Sequence, residues 1–185
     1  MTRADSEARK GQLLRLLAPH HDRARSTARR LCRSAADGDD LFHEAVLRAL
    51  DRVDELRDEA RFRPWFYAVM LSVHRARARR TFWRSLLPLD ALTGEVASPG
   101  ADYGAFEGAD RMAKALATLS PRARETIVLF ELEGFTLDEI AALQGESIGT
   151  LKSRLSRARE RLRRHYGRLE VGPSNLLKEN HNENG

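Results

Sequence analysis

The positively charged side chains give the clearest indication of what this chain binds, and they gather at two places. The run from Lys152 to Arg164 contains seven cations, and Glu160 is its only acid. A second group closes a segment that opens with aromatic residues: Trp65, Phe66 and Tyr67, followed by Arg75, Arg77, Arg79, Arg80 and Arg84. A solvated helix face usually interleaves acids with its cations for salt bridging. Both groups therefore favour contact with the phosphates of a nucleic acid.

Other kinds of chemistry lack the residues that they need. The chain has one cysteine, Cys32, so neither a disulfide framework nor a cysteine zinc site is expected. The six histidines are scattered, and only His20 and His21 are adjacent. The sequence contains no nucleophile–base set, no paired carboxylates in an evident cleft and no phosphate-cradling glycine loop. It predicts that the protein is not an enzyme, holds no metal or cofactor, and takes no small-molecule substrate.

Length and composition indicate a folded protein. The chain has 185 residues, of which 42% are hydrophobic and 32% charged, with a net charge of +5. No apolar run approaches the roughly 20 residues that cross a bilayer, and the first residues are polar. We expect no membrane insertion and a cytoplasmic location.

The apolar periodicity predicts an all-α protein of two small helical domains joined by a flexible linker. The predicted ranges are 8–82 for the first domain, 83–109 for the linker, 110–168 for the second domain and 172–185 for a disordered tail. In the first domain, Ala35–Asp39 is expected to be a break, with Asp37 or Asp39 capping the helix that follows. A further helix is expected from Pro64 to about Arg80, since proline suits a first turn.

The second domain carries the stronger local signals. Ser120 and Pro121 predict a helix start, and Gly134 can end that helix. Thr136 and Glu139 have capping-box spacing, and Ser147 is expected to cap the last helix. One buried stripe is expected on that helix: Leu151, Leu155, Ala158 and Leu162. The region from Thr136 to about Tyr166 thus has a helix-turn-helix pattern, with its cations opposite the leucines.

Three blocks in order resemble bacterial sigma-70 family sigma factors of the extracytoplasmic-function (ECF) type. Residues 39–49 (DDLFHEAVLRA) resemble region 2.2, which docks onto the RNA polymerase clamp. Residues 62–69 (FRPWFYAV), leading to Arg79 and Arg80, resemble regions 2.3 and 2.4, which melt and read the −10 element. Residues 119–141 and 149–159 (GTLKSRLSRAR) resemble region 4, which reads the −35 element.

The resemblance implies three sets of site residues. Docking to core polymerase, through the clamp of its largest subunit, is assigned to Asp40, Leu41, His43, Glu44, Leu47 and Arg48. Melting of and contacts with the −10 element are assigned to Arg61, Arg63, Trp65, Tyr67, Ser72, Arg75, Arg79 and Arg80. Contacts with the −35 element are assigned to Ser147, Thr150, Lys152, Ser153, Arg154, Ser156, Arg157 and Arg159. Promoter DNA, core polymerase and an anti-sigma factor are the implied partners.

Four positions depart from the usual family pattern. His43 stands where glutamine is usual, Ser72 and Ala76 where asparagine and aspartate are usual, and Leu151 where valine is usual. We expect the departures at His43, Ser72 and Ala76 to alter clamp contacts or promoter preference and to leave the fold intact.

Other functions remain open from the sequence alone. A stand-alone helix-turn-helix regulator would share the last domain but would not explain the docking block. A membrane-surface helix would need an exposed apolar side, whereas the leucines of the last helix are needed for its own core. A nucleic-acid-processing enzyme lacks a site, and a purely protein-binding adaptor does not explain the basic helix.

Overall fold

The computed structural model describes residues 3–85 and 107–170, which form helices and contain no strand. The helices of the first domain are α1 (Arg3–Leu17), α2 (His21–Leu31), α3 (Ala35–Arg52) and α4 (Phe62–Ser85). Those of the second are α5 (Glu107–Ala117), α6 (Pro121–Ile127), α7 (Leu137–Gln144) and α8 (Ile148–Glu170). The all-α prediction is confirmed.

The ends of the predicted linker are helical. Helix α4 begins two residues before Pro64 and continues to Ser85, and α5 begins at Glu107. The remainder of the predicted linker and the whole predicted tail lie outside the described residues.

The predicted break before α3 is wrong. Helix α3 begins at Ala35, and its N-cap is Ser34, whose Oγ accepts the backbone N–H of Asp37 at 3.1 Å. The glycine that suggested a loop, Gly38, lies inside the helix and is buried against α2. A Cβ at Gly38 would lie 2.3 Å from Cα of Arg29, so the two helix backbones approach as closely as they do only because this side chain is missing.

Asp39 joins α2 to α3 through two arginines. Its carboxylate receives paired hydrogen bonds from Arg29, at 2.7 and 2.8 Å, and from Arg25, at 2.8 and 3.1 Å. The Arg29 guanidinium, followed by that of Arg25, holds the pKa of Asp39 well below its usual range. This carboxylate stays ionised in the folded chain and is not a helix cap.

We expect Asp39→Asn to lower the free energy of unfolding by about 1 kcal/mol at pH 7. A depressed native pKa stabilises the fold above the ordinary carboxyl pKa of about 4, and the contribution is lost as pH falls further. The difference between Asp39→Asn and the parent should therefore shrink at pH 3. Urea unfolding followed by circular dichroism measures it. Glu55→Gln, at an exposed pair with Arg52, is the control and should change little; an equal Asp39→Asn effect at both pH values would contradict the prediction.

Aromatic rings fill the core of the first domain. Phe62 and Phe66 of α4 are buried and stacked with their centroids 5.7 Å apart, and Phe42 of α3 meets Phe66 edge-on at 6.1 Å. Trp65 is half-buried and packs on Phe62 at 5.8 Å. Phe66 is thus a core residue.

The helix caps and the buried stripe predicted for the second domain are confirmed. Ser120 caps α6 with Pro121 in its first turn, and Thr136 and Glu139 form both bonds of a capping box on α7. A π-helical turn at Val128–Leu132 extends α6, and Gly134 follows this turn with a φ of 70°. The predicted stripe on α8 packs inward, with Leu151, Leu155 and Ala158 buried and Leu162 half-buried.

Candidate nucleic-acid interface

The N-terminal half of α8 presents an open basic face. Ser147 caps the helix by accepting the Thr150 N–H at 3.2 Å, and both side chains are exposed. The outward side chains beyond them are Lys152, Ser153, Ser156 and Arg157. Buried leucines anchor the opposite side, and α7 and the glycine turn at Gly145 set the angle of the helix. Short hydroxyls and long cations on a fixed helix end suit contact with base edges and phosphates in a major groove.

Two residues predicted for this face are held by side chains of their own domain. Arg154 points inward, where it donates to Gln144 Oε1 at 2.8 Å and to Glu146 Oε2 at 2.5 Å. Arg159 pairs with Glu131 at 2.6 Å beside the ring of Phe130 and is still 44% exposed. Arg154 therefore braces the turn between α7 and α8 and is withdrawn from the open face, whereas Arg159 lies at its edge in an ion pair.

Seven of the eight residues predicted for the −10 element divide into two groups, and the eighth, Trp65, is half-buried against Phe62. Arg61, Ser72, Arg79 and Arg80 are exposed on the first domain. Arg63, Tyr67 and Arg75 instead contact the second domain. The outward group can meet DNA as the chain stands, whereas the inward group is covered.

Glu133 of the second domain covers Arg63 and Tyr67. Its side chain is only 1% exposed. Oε2 accepts the Tyr67 hydroxyl at 2.6 Å and Arg23 Nε at 2.9 Å, and Oε1 lies 2.6 Å from the Thr27 hydroxyl. Arg63 donates to the backbone carbonyl of Glu133. Burial, then the bond to Glu133, raises the pKa of Tyr67, so this phenol donates its proton rather than losing it.

Glu125 covers Arg75 in the same way. Its side chain is 2% exposed, and Oε2 receives Arg75 Nη2 at 2.9 Å. Arg75 also donates to the backbone carbonyl of Leu143 at 3.1 Å. His74 lies beside this pair with Nε2 3.9 Å from Glu125 Oε1, and burial lowers its pKa.

The predicted docking helix, α3, has one face toward solvent. His43 and Asp40 are exposed, and Leu47 is an exposed leucine at 64%. Glu44 and Arg48 are half-buried and paired at 3.1 Å. Although burial acts to raise the pKa of Glu44, Arg77 at 2.7 Å and other cations hold it below its ordinary value. Leu41 is fully buried, so it belongs to the core and not to the surface predicted for it.

Sequence reasoning missed the residues that join the two domains, chiefly Glu125, Glu133 and Thr27. One signal was available, because Glu125 and Glu133 lie on either side of the apolar run 127–130, with Leu132 beyond it, which the fold has to bury. Residues next to such a run are themselves drawn inside, and a buried carboxylate needs cations or hydroxyls around it.

Other kinds of site are not found in the described ranges. Across residues 3–85 and 107–170, no three of His, Cys, Asp and Glu gather in a way that could hold a metal ion. Over the same ranges, no helix is both long and apolar enough to cross a membrane.

Each of the two domains matches a model of a known protein family. The model for Sigma-70 region 2 matches residues 16–84, and that for Sigma-70, region 4 matches residues 109–162. The ECF RNA polymerase sigma factor SigM of Mycobacterium tuberculosis is 31% identical over 85% of this chain and 78% of its own length. The RNA polymerase sigma factor CarQ of Myxococcus xanthus is 30% identical over 84% of this chain and 90% of its own.

A solved structure agrees with these relatives. The sigma factor RpoE of Bartonella quintana, in complex with the anti-sigma factor NepR, is 30% identical, with a TM-score of 0.66 over 88% of this chain and 96% of RpoE. Both helical domains and the basic α8 face are therefore accounted for together: the chain belongs to the sigma-70 family, among the sigma factors of the extracytoplasmic-function type.

Proposed function

We propose that this chain binds core RNA polymerase and directs it to promoters, with the second domain reading the −35 duplex and the first opening and reading the −10 element. The observation that carries the proposal is the open face of α8, where Lys152, Ser153, Ser156 and Arg157 stand out from a helix fixed on its other side. We assign −35 readout to these four side chains, with Ser147 and Thr150 at the helix start.

Contacts to the −10 element are assigned to α4 and the turn before it. We assign phosphate contacts to Arg61, Arg79 and Arg80, which are exposed, and Ser72 is also exposed on α4. Of the three adjacent aromatic residues 65–67, Trp65 is the one assigned to stack on an unpaired base, because Phe66 and Tyr67 are buried. Arg63, Tyr67 and Arg75 join this set once the second domain moves away.

Docking on the polymerase clamp is assigned to the outer face of α3. Leu47 would supply the apolar centre and Asp40, His43 and Arg48 the polar rim, which is the usual arrangement of a protein interface. The related RpoE structure contains an anti-sigma factor, so a sequestering protein partner is proposed here as well. The chain itself catalyses no reaction under this proposal. Its location follows from its partner, because core polymerase works in the bacterial cytoplasm.

Run-off transcription tests the proposal directly. Core polymerase is incubated with and without the full chain on a pool of genomic promoter fragments. New discrete transcripts that require the chain would support it, and aligning the DNA upstream of their starts would give both promoter elements. Absence of transcripts, with duplex binding by the chain alone, would favour a stand-alone regulator.

We expect Leu47→Asp to weaken binding to core polymerase by about tenfold or more, because a buried interface anchor is replaced by a charge. Leu14→Asp is the matched control, since Leu14 is also an exposed leucine of the first domain, at 54%, on a different helix. Both variants should fold normally. Fluorescence anisotropy of the labelled chain titrated with core polymerase measures the affinity, and an equal loss in both variants would refute the assignment of α3.

A further inference from the structure

An apolar groove on the second domain lies beside the end of α8. Its volume is about 460 Å³, and it lies between α5, the turn that extends α6, and the last turns of α8. The apolar part of its wall consists of Met112, Leu116, Ile127, Leu132, Leu162 and Tyr166. A cavity of this size and character takes apolar ligands or side chains. None of the outward residues of α8 assigned to DNA and none of the docking residues of α3 lines it.

The α8 side of the groove is one helical stripe that runs to the end of the helix. Arg159, Leu162, Arg163, Tyr166 and Gly167 line it, at the three- and four-residue spacing that places side chains on one face. Gly167 belongs to the last turn of α8. Arg159, at the far end, is only about 16 Å from the end of α8 along the helix axis.

Gly167 keeps the mouth of the groove open. It lies inside α8, where glycine destabilises a helix relative to alanine. Within the described ranges, no atom lies within 4 Å of the Cβ that a larger residue would add there. Its φ is not positive, so the backbone does not require a glycine either. What the missing side chain provides is space at the point where the chain leaves the helix.

The segment that follows α8 carries apolar side chains that fit this groove. Residues 171–185 are mostly polar and lie outside the described residues. Beyond Val171, their only large aliphatic side chains are Leu176 and Leu177, side by side. Burial against an apolar wall removes such a pair of leucines from water, which is favourable.

The turn signals and length of this segment bring the two leucines back over α8. Gly172 and Pro173 are residue types that end a helix and reverse the chain. The extended chain from Glu170 to Leu176 spans up to about 20 Å, more than the length of the groove along α8. So short a tether gives an effective concentration in the millimolar range, and even a weak apolar contact is then occupied.

The charges of the two sides are complementary. Arg159 pairs with Glu131 on the rim of the groove, and Arg163 is exposed beside them, so the rim has one positive charge in excess. Across residues 171–185, two glutamates outnumber one lysine. Glu179, two residues beyond the leucine pair, is within reach of the rim when the leucines are docked.

We propose that Leu176 and Leu177 dock in this groove, so that the chain covers the apolar surface between α5 and α8 with its own following segment. The contact lies within the second domain and does not depend on the promoter function proposed above. A partner that binds the same groove first has to displace the two leucines, so the segment weakens the apparent affinity of any such partner.

Disulfide trapping tests where the segment lies. In a Cys32→Ala background, Met112→Cys/Leu177→Cys places one thiol on the groove wall and one in the segment. Arg161→Cys/Leu177→Cys is the matched control, because Arg161 is exposed on the opposite face of α8 and is within reach of the same segment. The full chain is treated with oxidised glutathione at low protein concentration, and peptide mapping by mass spectrometry measures the disulfide formed.

We expect the Met112→Cys pair to close about tenfold faster than the Arg161→Cys pair, because docking holds its two thiols together. In concentrated urea the two rates should become equal. Equal rates in the folded chain would overturn the proposal. Disulfides between chains, seen as dimers on non-reducing gels, would overturn it as well, because they would place a second copy in the groove.

A dye that binds exposed apolar surface, anilinonaphthalene sulfonate, gives a second measurement that needs no cysteine. Leu176→Asp/Leu177→Asp in the full chain should raise the dye fluorescence about threefold, because the groove is uncovered. Asn180→Asp/Asn182→Asp adds the same two charges to the same segment and should bind the dye like wild type. Circular dichroism melts establish that each variant is folded. Unchanged fluorescence in the leucine variant, or an equal rise in both variants, would refute the docking.

Discussion

Gly38→Ala is expected to destabilise the first domain by about 3 kcal/mol, a large part of the stability of a small domain. The added Cβ would lie 2.3 Å from Cα and 2.7 Å from the backbone N of Arg29, so the α2 backbone itself has to shift. The gain in helix propensity, about 1 kcal/mol, is smaller than this overlap. Urea unfolding followed by circular dichroism measures the change.

Gly11→Ala is the matched control for this substitution. Gly11 lies inside α1, and no atom lies within 4 Å of the Cβ that alanine would add. It should raise the stability by about 0.5–1 kcal/mol, opposite in sign to Gly38→Ala. If both substitutions stabilise the chain, the close approach of α2 and α3 is not what Gly38 provides.

Lys152→Ala/Arg157→Ala should lower run-off transcription from a mapped promoter by about a hundredfold when the concentration of the chain is limiting. The reason is that each lost DNA contact costs about 1–3 kcal/mol of binding free energy. Both side chains are exposed in the N-terminal half of α8, so their removal leaves the buried stripe intact. Binding to core polymerase should not change.

Lys10→Ala/Arg15→Ala removes the same charge from exposed positions of α1, away from the proposed DNA surfaces and from the docking face of α3. This control should transcribe like wild type at the same salt concentration. An equal loss in both double variants would indicate a general charge effect and would refute specific −35 readout by α8.

The elements that could be predicted from the sequence are those specified by neighbouring residues. The side chains of Thr136 and Glu139 each accept the backbone N–H of the other within one turn. The Ser147 hydroxyl likewise accepts the Thr150 N–H at the start of α8. The stripe of Leu151 and Leu155 needs only helical periodicity. Such signals depend little on the rest of the fold, and the structure confirms them.

The features that could not be predicted depend on distant parts of the chain. Gly38 reads as a loop residue until Arg29 of another helix is placed against it. Arg75 reads as a phosphate contact, and only the tertiary fold brings Glu125, 50 residues away, to its guanidinium. Cations that face DNA and cations that face carboxylates have the same local sequence pattern.

The inward position of Arg154 limits how this protein can be re-engineered for new promoters. Its guanidinium ties α8 to Gln144 and Glu146, so it fixes the angle at which the helix enters a groove. A combinatorial library should therefore vary Thr150, Ser153, Ser156 and neighbouring exposed positions while Arg154 is kept constant. Orthogonal regulators for synthetic gene circuits would then differ in the bases that they prefer and share one docking geometry.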